Sequence, residues 1–359
     1  MKVSRIEIRN FKSIKELSLP LKNINILIGA NGAGKSNFVQ FFDLLSNIFD
    51  QNLQNYISAN GGANSFLYFG RKNSEFLSGI ISFDVNEYNF ALTATTENNF
   101  FFSKEEQDQV FPNGKKVIKY LGNGYLESYL IEQRNKNGGT PFPMQNAITT
   151  MVYHFQDTSI TAKVKQDGNI NDNRSLRRDA SNLAAFLYLL QEKYPEYFVR
   201  IENTIKLIAP FFDKFQLEPL ALDKERIHLE WKHVGSDEYF NASHLSDGTL
   251  RMICLITLLL QPNLPDTIII DEPELGLHPS AIELLSSLIK SIAANNKQVI
   301  CSTQSVTLLN HFNPEDIIVV DVENKQSVFR RLEQEQLSEW LGQYAIGELW
   351  EKNVLGGRP

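Results

Sequence analysis

The chain has only two cysteines in 359 residues, Cys254 and Cys301, and both sit inside apolar segments. That scarcity excludes a disulfide framework and marks them as reduced core residues, which sets a cytoplasmic location as the expectation. The six histidines show no metal-ligand spacing, and neither cysteine has a His/Asp arrangement suited to nucleophilic work. No apolar run approaches the roughly 18 to 20 residues that span a bilayer. The start, "MKVSRIEIRNFKS", also lacks the apolar stretch of a signal peptide, so no membrane partner is expected. Positive charge is short as well. A net charge of −7 argues against a surface that is a nucleic-acid footprint throughout. The densest basic cluster, Arg174, Arg177 and Arg178, is either a local patch or, more simply, a solvated loop ahead of a helix. Internal repeats, low-complexity segments and long heptad arrays are missing too, since the helical stretches after Ser181 break at Pro195 and Pro210.

What is present suits a globular protein with a sizeable core: 42% hydrophobic, 21% charged and 11% aromatic residues. The length allows one large domain or two ordinary ones. Ile6 and Ile8 alternate with Arg5, Glu7 and Arg9 as in a half-buried strand, and "LSLPL" and "INILIG" follow as two more. "GIISFDVNEYNFALTA" suggests a β-hairpin turning at Asn86 to Asn89, and "TTMVYHF" a further strand. From Ser181 to about Leu217 the pattern turns helical, and "RIHLEWKHV" then alternates as one strand with Ile227, Leu229 and Trp231 on a single face. Continuous apolar strands alternating with helices towards the end, "DTIIIDEPE", "QVICST" and "DIIVVDV", indicate a parallel sheet covered on both faces. The tail from "LSEWLGQ" is expected to be helical until its glycines.

The chemistry lies in three short segments. "GANGAGKS", Gly29 to Ser36, matches G-x-x-x-x-G-K-[ST] between an apolar strand and an amphipathic helix that turns Phe38, Phe41, Phe42, Leu45 and Ile48 inward. Gly29, Gly32 and Gly34 let the backbone N–H groups of the loop point at phosphate oxygens. Lys35 brings an ammonium to the β- and γ-phosphates, and the Ser36 hydroxyl suits Mg²⁺. ATP contacts are therefore expected from Asn31, Gly32, Ala33, Gly34, Lys35, Ser36 and Asn37, with the helix N-terminus facing the same anion. Second, Asp271 and Glu272 close a buried strand. Adjacent acids there repel unless a cation lies nearby. Asp271 is expected to hold Mg²⁺, and Glu272 to take a proton from the attacking water as general base. Glu274 is read as a helix-terminus acid only. Third, "HLSDGTL" opens the apolar helix "RMICLITLLLQ"; Ser246 or Asp247 caps it and leaves N–H groups free for an anion.

Together "GANGAGKSN", "LSDGT" and "IIIDEPELGLHPSA" resemble the Walker A, signature and Walker B/D-loop segments of ABC-type ATPases. The N-terminal "IEIRNFKSI" makes the chain similar to their RecF/SMC/OLD-like branch. "YHFQDTS", "NDNRSLRRDASNLAAFL", "APFFDKFQLEP" and the terminal "GELWEKNVLGGRP" resemble stand-alone RecF-like predicted ATPases of the AAA family, along nearly the whole chain. The resemblance implies an α/β fold: a P-loop ATPase head with a mixed or parallel central sheet, an N-terminal antiparallel β lobe and a helical lobe insertion. Its divisions would be 1–165 for the lobe with Walker A and the β insertion, 166–223 for the helical lobe, and 224–359 for the lobe with signature, Walker B, D-loop and switch.

The same resemblance implies a mechanism in which two heads sandwich two ATP molecules. Ser246, Asp247 and Gly248 would then meet the ATP of a partner copy, Asn10 and Lys12 of the "NFKS" turn would approach the nucleotide, and Gln156 would be the Q-loop residue near Mg²⁺, with Asp157 as its fallback. Gln304 holds the place usually taken by the switch histidine. A glutamine can donate to the γ-phosphate or water but takes up no proton near pH 7, so slow turnover is expected. His244 and His278 flank the motif loops and are read as positional. An ATP-dependent homodimer acting in DNA repair or defence against foreign DNA is the first functional expectation, with DNA as a partner. A nucleotide-gated switch that recruits an effector such as a nuclease is the alternative, since no nuclease centre or long coiled coil is seen. A transporter subunit is disfavoured by the "NFKS" start and by "LSDGT" in place of a glycine-rich signature.

Overall fold

A computed structural model describes residues 2–83, 86–110, 116–130 and 152–357. Its strands are numbered β1–β17 and its helices α1–α9 in chain order. Contacts divide the chain into two compact units, Met1–Val152 with Asp266–Ile269 and Asn296–Pro359, and Tyr153–Pro265 with Ile270–Asn295.

The first unit stacks an antiparallel sheet, a helix and a second sheet. β1 (Arg5–Phe11), β2 (Ile14–Pro20), β4 (Phe76–Phe83), β5 (Asn86–Ala94), β6 (Phe100–Val110) and β7 (Lys116–Gly122) form a six-stranded sheet in the order β2-β1-β4-β5-β6-β7. The alternation Ile6, Ile8 holds as expected, both fully buried. The expected turn at Asn86–Asn89 is wrong: these residues are already β5, paired with Phe83 back to Ile80. The alternation that buries Asn86, Tyr88, Phe90 and Leu92 outweighs the turn preference of asparagine.

The second sheet runs β17-β16-β3-β15-β14-β8. It comprises β3 (Ile24–Ile28), β8 (Val152–Tyr153), β14 (Thr267–Asp271), β15 (Gln298–Ser302), β16 (Ile317–Glu323) and β17 (Gln326–Arg331). Of β8 and β14, Val152 and Thr267–Ile269 belong to this unit. β3 lies parallel to both β15 and β16, while β17 folds back antiparallel at the edge. The strand expected at "TTMVYHF" is seen at Val152–Tyr153, its earlier residues lying outside those described.

α1 (Lys35–Phe49) is the layer between. Phe38, Phe41, Phe42, Leu45 and Ile48 are at most 1% exposed, as the helical spacing requires. Phe41 packs edge-on against Phe11 of β1 at 5.3 Å and stacks on Phe90 of β5 at 6.1 Å. Phe38 meets Phe329 of β17 at 5.4 Å. Each such aromatic pair adds roughly 0.5–1.5 kcal/mol beyond its buried area. α2 (Leu53–Ala59) is capped by Glu127, whose carboxylate accepts from Leu53 N and Gln54 N. A buried carboxylate, Glu105, accepts from Tyr88 Oη at 2.7 Å, Ser128 Oγ at 2.6 Å and Tyr129 N at 2.9 Å. Burial pushes its carboxyl above the ordinary range, with Ser128 the first of the donors that oppose this.

The second unit is helical with small sheets. α3 (Leu183–Lys193) and α4 (Pro195–Ile208) meet at Pro195, which opens α4 at its first position. The helical expectation to Leu217 overreaches, because β10 (Phe212–Phe215) begins after Pro210. "RIHLEWKHV" is likewise not one strand. β11 (Arg226–Ile227) pairs with β9 (Gly168–Asn169), whereas β12 (Glu230–His233) sits between β10 and β13 (Tyr239–Asn241). Ile227, Leu229 and Trp231 are still buried, at 0, 2 and 3% exposure. α5 (Asp247–Leu260) and α6 (Pro279–Ala294) complete this unit. The remaining helices, α7 (Val306–Leu309), α8 (Gln334–Leu341) and α9 (Ile346–Glu351), belong to the first. The tail is helical as expected, in two short pieces.

Candidate nucleotide site

The phosphate loop leaves β3 and enters α1. Gly32 and Gly34 have φ of 79° and 116°, backbone that a side chain would strain. Gly34 serves as the N-cap of α1, and a Cβ there would land on Ser327 Oγ. Lys35 is 4% exposed, and its ammonium donates to the carbonyls of Gly29 at 2.5 Å and Ala30 at 3.2 Å. The cation is thus held at the loop itself. Asn31, Gly32 and Ser36 are exposed, Asn37 is half-buried and Ala33 buried.

Two serines buttress the loop from behind. Ser327 Oγ donates to Ala33 O at 2.5 Å and lies 2.6 Å from Ser13 Oγ. Asn37 Nδ2 donates to Ser13 Oγ at 2.7 Å. Ser13 ends the "NFKS" turn, so that turn does reach the loop. Asn10 and Lys12 adopt left-handed φ of 56° and 49°, pinned by Tyr68 N to Asn10 O and by Lys12 N to Phe66 O. The Lys12 ammonium donates to Gln40 Oε1 at 2.7 Å and lies 5.1 Å over the Phe66 ring; burial lowers its pKa. A nucleotide contact from Lys12 therefore competes with Gln40. Ser327 sits on a strand with no motif around it, and nothing in the sequence marks it.

The switch segment is in the same unit. Thr303 N donates to Leu27 O at 2.9 Å, which ties the residue before Gln304 to the end of β3. Ser305 caps α7 by accepting from Leu308 N. Gln304 is half-buried between them.

In the second unit, β14 ends on Ile270–Asp271, and Glu272 follows with φ of 46°. A left-handed conformation at a glutamate costs on the order of 1–3 kcal/mol and is kept at functional sites. Gln156 Nε2 donates to Asp271 O at 3.2 Å, so this unit brings the expected Q-loop residue to the strand end that bears the two acids. Arg251, 5% exposed in the first turns of α5, donates from Nε to Phe155 O and from Nη2 to Gln156 O, both at 3.0 Å. Burial lowers its pKa, opposed by Asp247. One guanidinium thus joins α5 to the Gln156 segment. It went unassigned in the sequence, although a lone arginine in "RMICLITLLL" was a visible signal.

Ser246 is the N-cap of α5, accepting from Thr249 N at 3.2 Å. Gly248 lies so near the Gly276 turn that a Cβ would fall on Gly276 O. Asp247 pairs with Lys165 at 3.3 Å, and Lys165 Nζ also donates to Thr158 O at 2.5 Å. His278 caps α6, its Nδ1 facing Ser280 Oγ at 2.9 Å. Ser246, Gly248, Gly276, His278 and Ser280 border an open cavity of about 170 Å³, room for a phosphate group but small for a whole nucleotide. Two helix N-termini open onto it.

The comparisons add the family. The family model AAA_21, described as "AAA domain, putative AbiEii toxin, Type IV TA system", matches residues 24–310. The chain belongs to this family. As an AAA_21 protein it is an AAA-type ATPase domain, and its mixed α/β architecture is that of an SMC head. One similar solved structure is an SMC head bound to the C-winged helix domain of ScpA, at TM-score 0.62 and 15% identity, covering 94% of this chain and 100% of that one. Another is the Pyrococcus furiosus SMC head with an extended coiled coil, bound to the C-terminal domain of ScpA. It aligns at TM-score 0.55 and 15% identity over 95% and 98% of the two chains. No curated protein sequence matches.

Proposed function

We propose that the protein binds and hydrolyses Mg²⁺–ATP and works as an ATP-dependent pair of heads. The observation that carries this reading is the Gly29–Ser36 loop, with its left-handed glycines and the Lys35 ammonium held at 2.5 Å by Gly29 O. A bound Mg²⁺ would supply charge neutralisation on the phosphates. We assign Mg²⁺ to the Ser36 hydroxyl, exposed in its own unit, and to the Asp271 carboxylate, each a hard oxygen donor; Gln156 donates to Asp271 O. Glu272 is assigned the general base, and Gln304 orients water or the γ-phosphate as a donor. The chain's own N–H groups and Lys35 neutralise the phosphates; Ser246, Asp247 and Gly248 present the α5 N-terminus to the ATP of a second copy. Asp247, paired with Lys165, orients this loop rather than touching the anion.

DNA repair or defence against foreign DNA is the setting we assign to this cycle. Recruitment of a partner protein is the second reading, favoured because both SMC heads were solved with a domain of ScpA. No helix among the described residues is long and apolar enough to cross a membrane. Lys35→Ala should lower ATP affinity at least 100-fold in equilibrium binding, at the upper end of what one charged phosphate contact supplies. Affinity within a few-fold of the parent protein would refute the loop assignment.

A further inference from the structure

The terminal segment "GELWEKNVLGG" takes no part in the site so far, yet its backbone returns to the phosphate loop. α9 starts against the switch helix: Gly347 N donates to Asn310 Oδ1 at 2.7 Å, and a Cβ on Gly347 would lie 2.5 Å from Val306 Cγ1. After α9 the chain reverses at Asn353, φ 58°, with Val354 N bonded to Leu349 O. Three side chains then hold it down. Arg330 Nη2 donates to Leu355 O at 2.8 Å, Gly357 N donates to Asp321 Oδ2 at 3.0 Å, and the buried Trp350 Nε1 donates to Gly357 O at 2.7 Å.

Gly357 itself is in a left-handed conformation, φ 58°. A Cβ there would stand 2.8 Å from Val319 Cγ1, 3.1 Å from Val320 O and 3.3 Å from Gly29 Cα. Gly29 is itself pressed against β16, since its own Cβ would fall on Val320 O. The carbonyl of this same Gly29 holds the Lys35 ammonium. Backbone packed so closely against β16 and Gly357 has few alternative positions.

We propose that Trp350–Gly357 is a positioning strap for the phosphate loop: it fixes the Gly29 peptide and hence Lys35 before nucleotide arrives, and through α9 it ties that loop to the switch helix. The inference rests on the ATP-site reading above. A loosened strap leaves the loop to be ordered at the moment of binding, so affinity falls even where the fold persists.

Trp350→Phe keeps a large ring and removes the donor to Gly357 O. Asp321→Ala removes the acceptor for Gly357 N, and Asp321→Asn keeps an oxygen there. Titration of each full-length variant with Mg²⁺–ATP should give a Kd raised roughly fivefold for Trp350→Phe and Asp321→Ala, the worth of one hydrogen bond. Asp321→Asn should stay near the parent value. Without nucleotide the thermal midpoint of Asp321→Ala, an exposed side chain, should change little, whereas Trp350→Phe leaves the buried Gly357 carbonyl unpaired and lowers its own. A merely structural segment would instead lower both midpoints and leave Kd unchanged, which overturns the strap. Lys35→Ala separates the two ideas. If it abolishes binding while the strap variants bind normally, only the strap fails; if it still binds ATP, the site reading fails and the strap with it.

Discussion

At the scale of single residues, Arg251 is where the structure adds most. Its buried guanidinium makes two hydrogen bonds to successive carbonyls, Phe155 and Gln156, which a lysine ammonium cannot match in geometry. Gln156 in turn donates to Asp271 O. Arg251 thus places the segment that carries Gln156. Arg251→Lys should therefore lower kcat on the order of tenfold, while ATP affinity, assigned to a different set of residues, changes less than threefold. Steady-state kinetics beside equilibrium binding checks this. An equal loss in both would make Arg251 a general stabiliser instead. Its neighbour Gly248 shows a different constraint, a backbone approach to Gly276 O that leaves no room for any Cβ.

At the scale of elements, α5 combines a polar mouth with an apolar body. Residues Leu250–Leu260 are all buried, whereas Ser246 and Asp247 are exposed. Capping by Ser246 is worth about 1 kcal/mol. Ser246→Ala should lower unfolding free energy by that amount in a denaturant titration, and Ser246→Arg should leave monomer ATP affinity intact while blocking ATP-driven pairing. A Ser246→Arg protein that still dimerises with ATP would remove the signature loop from the interface.

This helix and the phosphate loop were legible in the sequence because their chemistry is local: caps, glycines and a lysine at fixed offsets. β10 was not, and β11 and β12 read as a single strand, because strands of two to four residues carry too few alternations to mark their ends. Nor did "NEYNF" give itself away, since its asparagines imitate a turn while Tyr88 and Phe90 supply the burial. Ser327 and Trp350 lie beyond reach for a different reason. They act on the loop through contacts about 290 to 320 residues away in sequence, and no local pattern encodes such a meeting.

At the scale of the whole molecule, the question is whether one chain suffices. The α5 N-terminus and the His278-capped α6 N-terminus together border an open cavity of about 170 Å³, with room for a phosphate group. The phosphate loop already brings left-handed glycines and the Lys35 ammonium together in one chain. A second phosphate-sized site is unnecessary for one ATP held by one chain, but it is what a second copy's γ-phosphate would need. Glu272→Gln keeps the size of the side chain and removes the base, so it should bind ATP, lose roughly 10²–10⁴ in hydrolysis rate, and accumulate as a dimer. Light scattering with saturating Mg²⁺–ATP measures this directly. For the parent protein the same model requires specific ATPase activity to rise with protein concentration until pairing saturates. If Glu272→Gln stays monomeric under ATP and parent activity is flat across a hundredfold dilution, each head hydrolyses alone. The α5 loop is then a helix cap and nothing more.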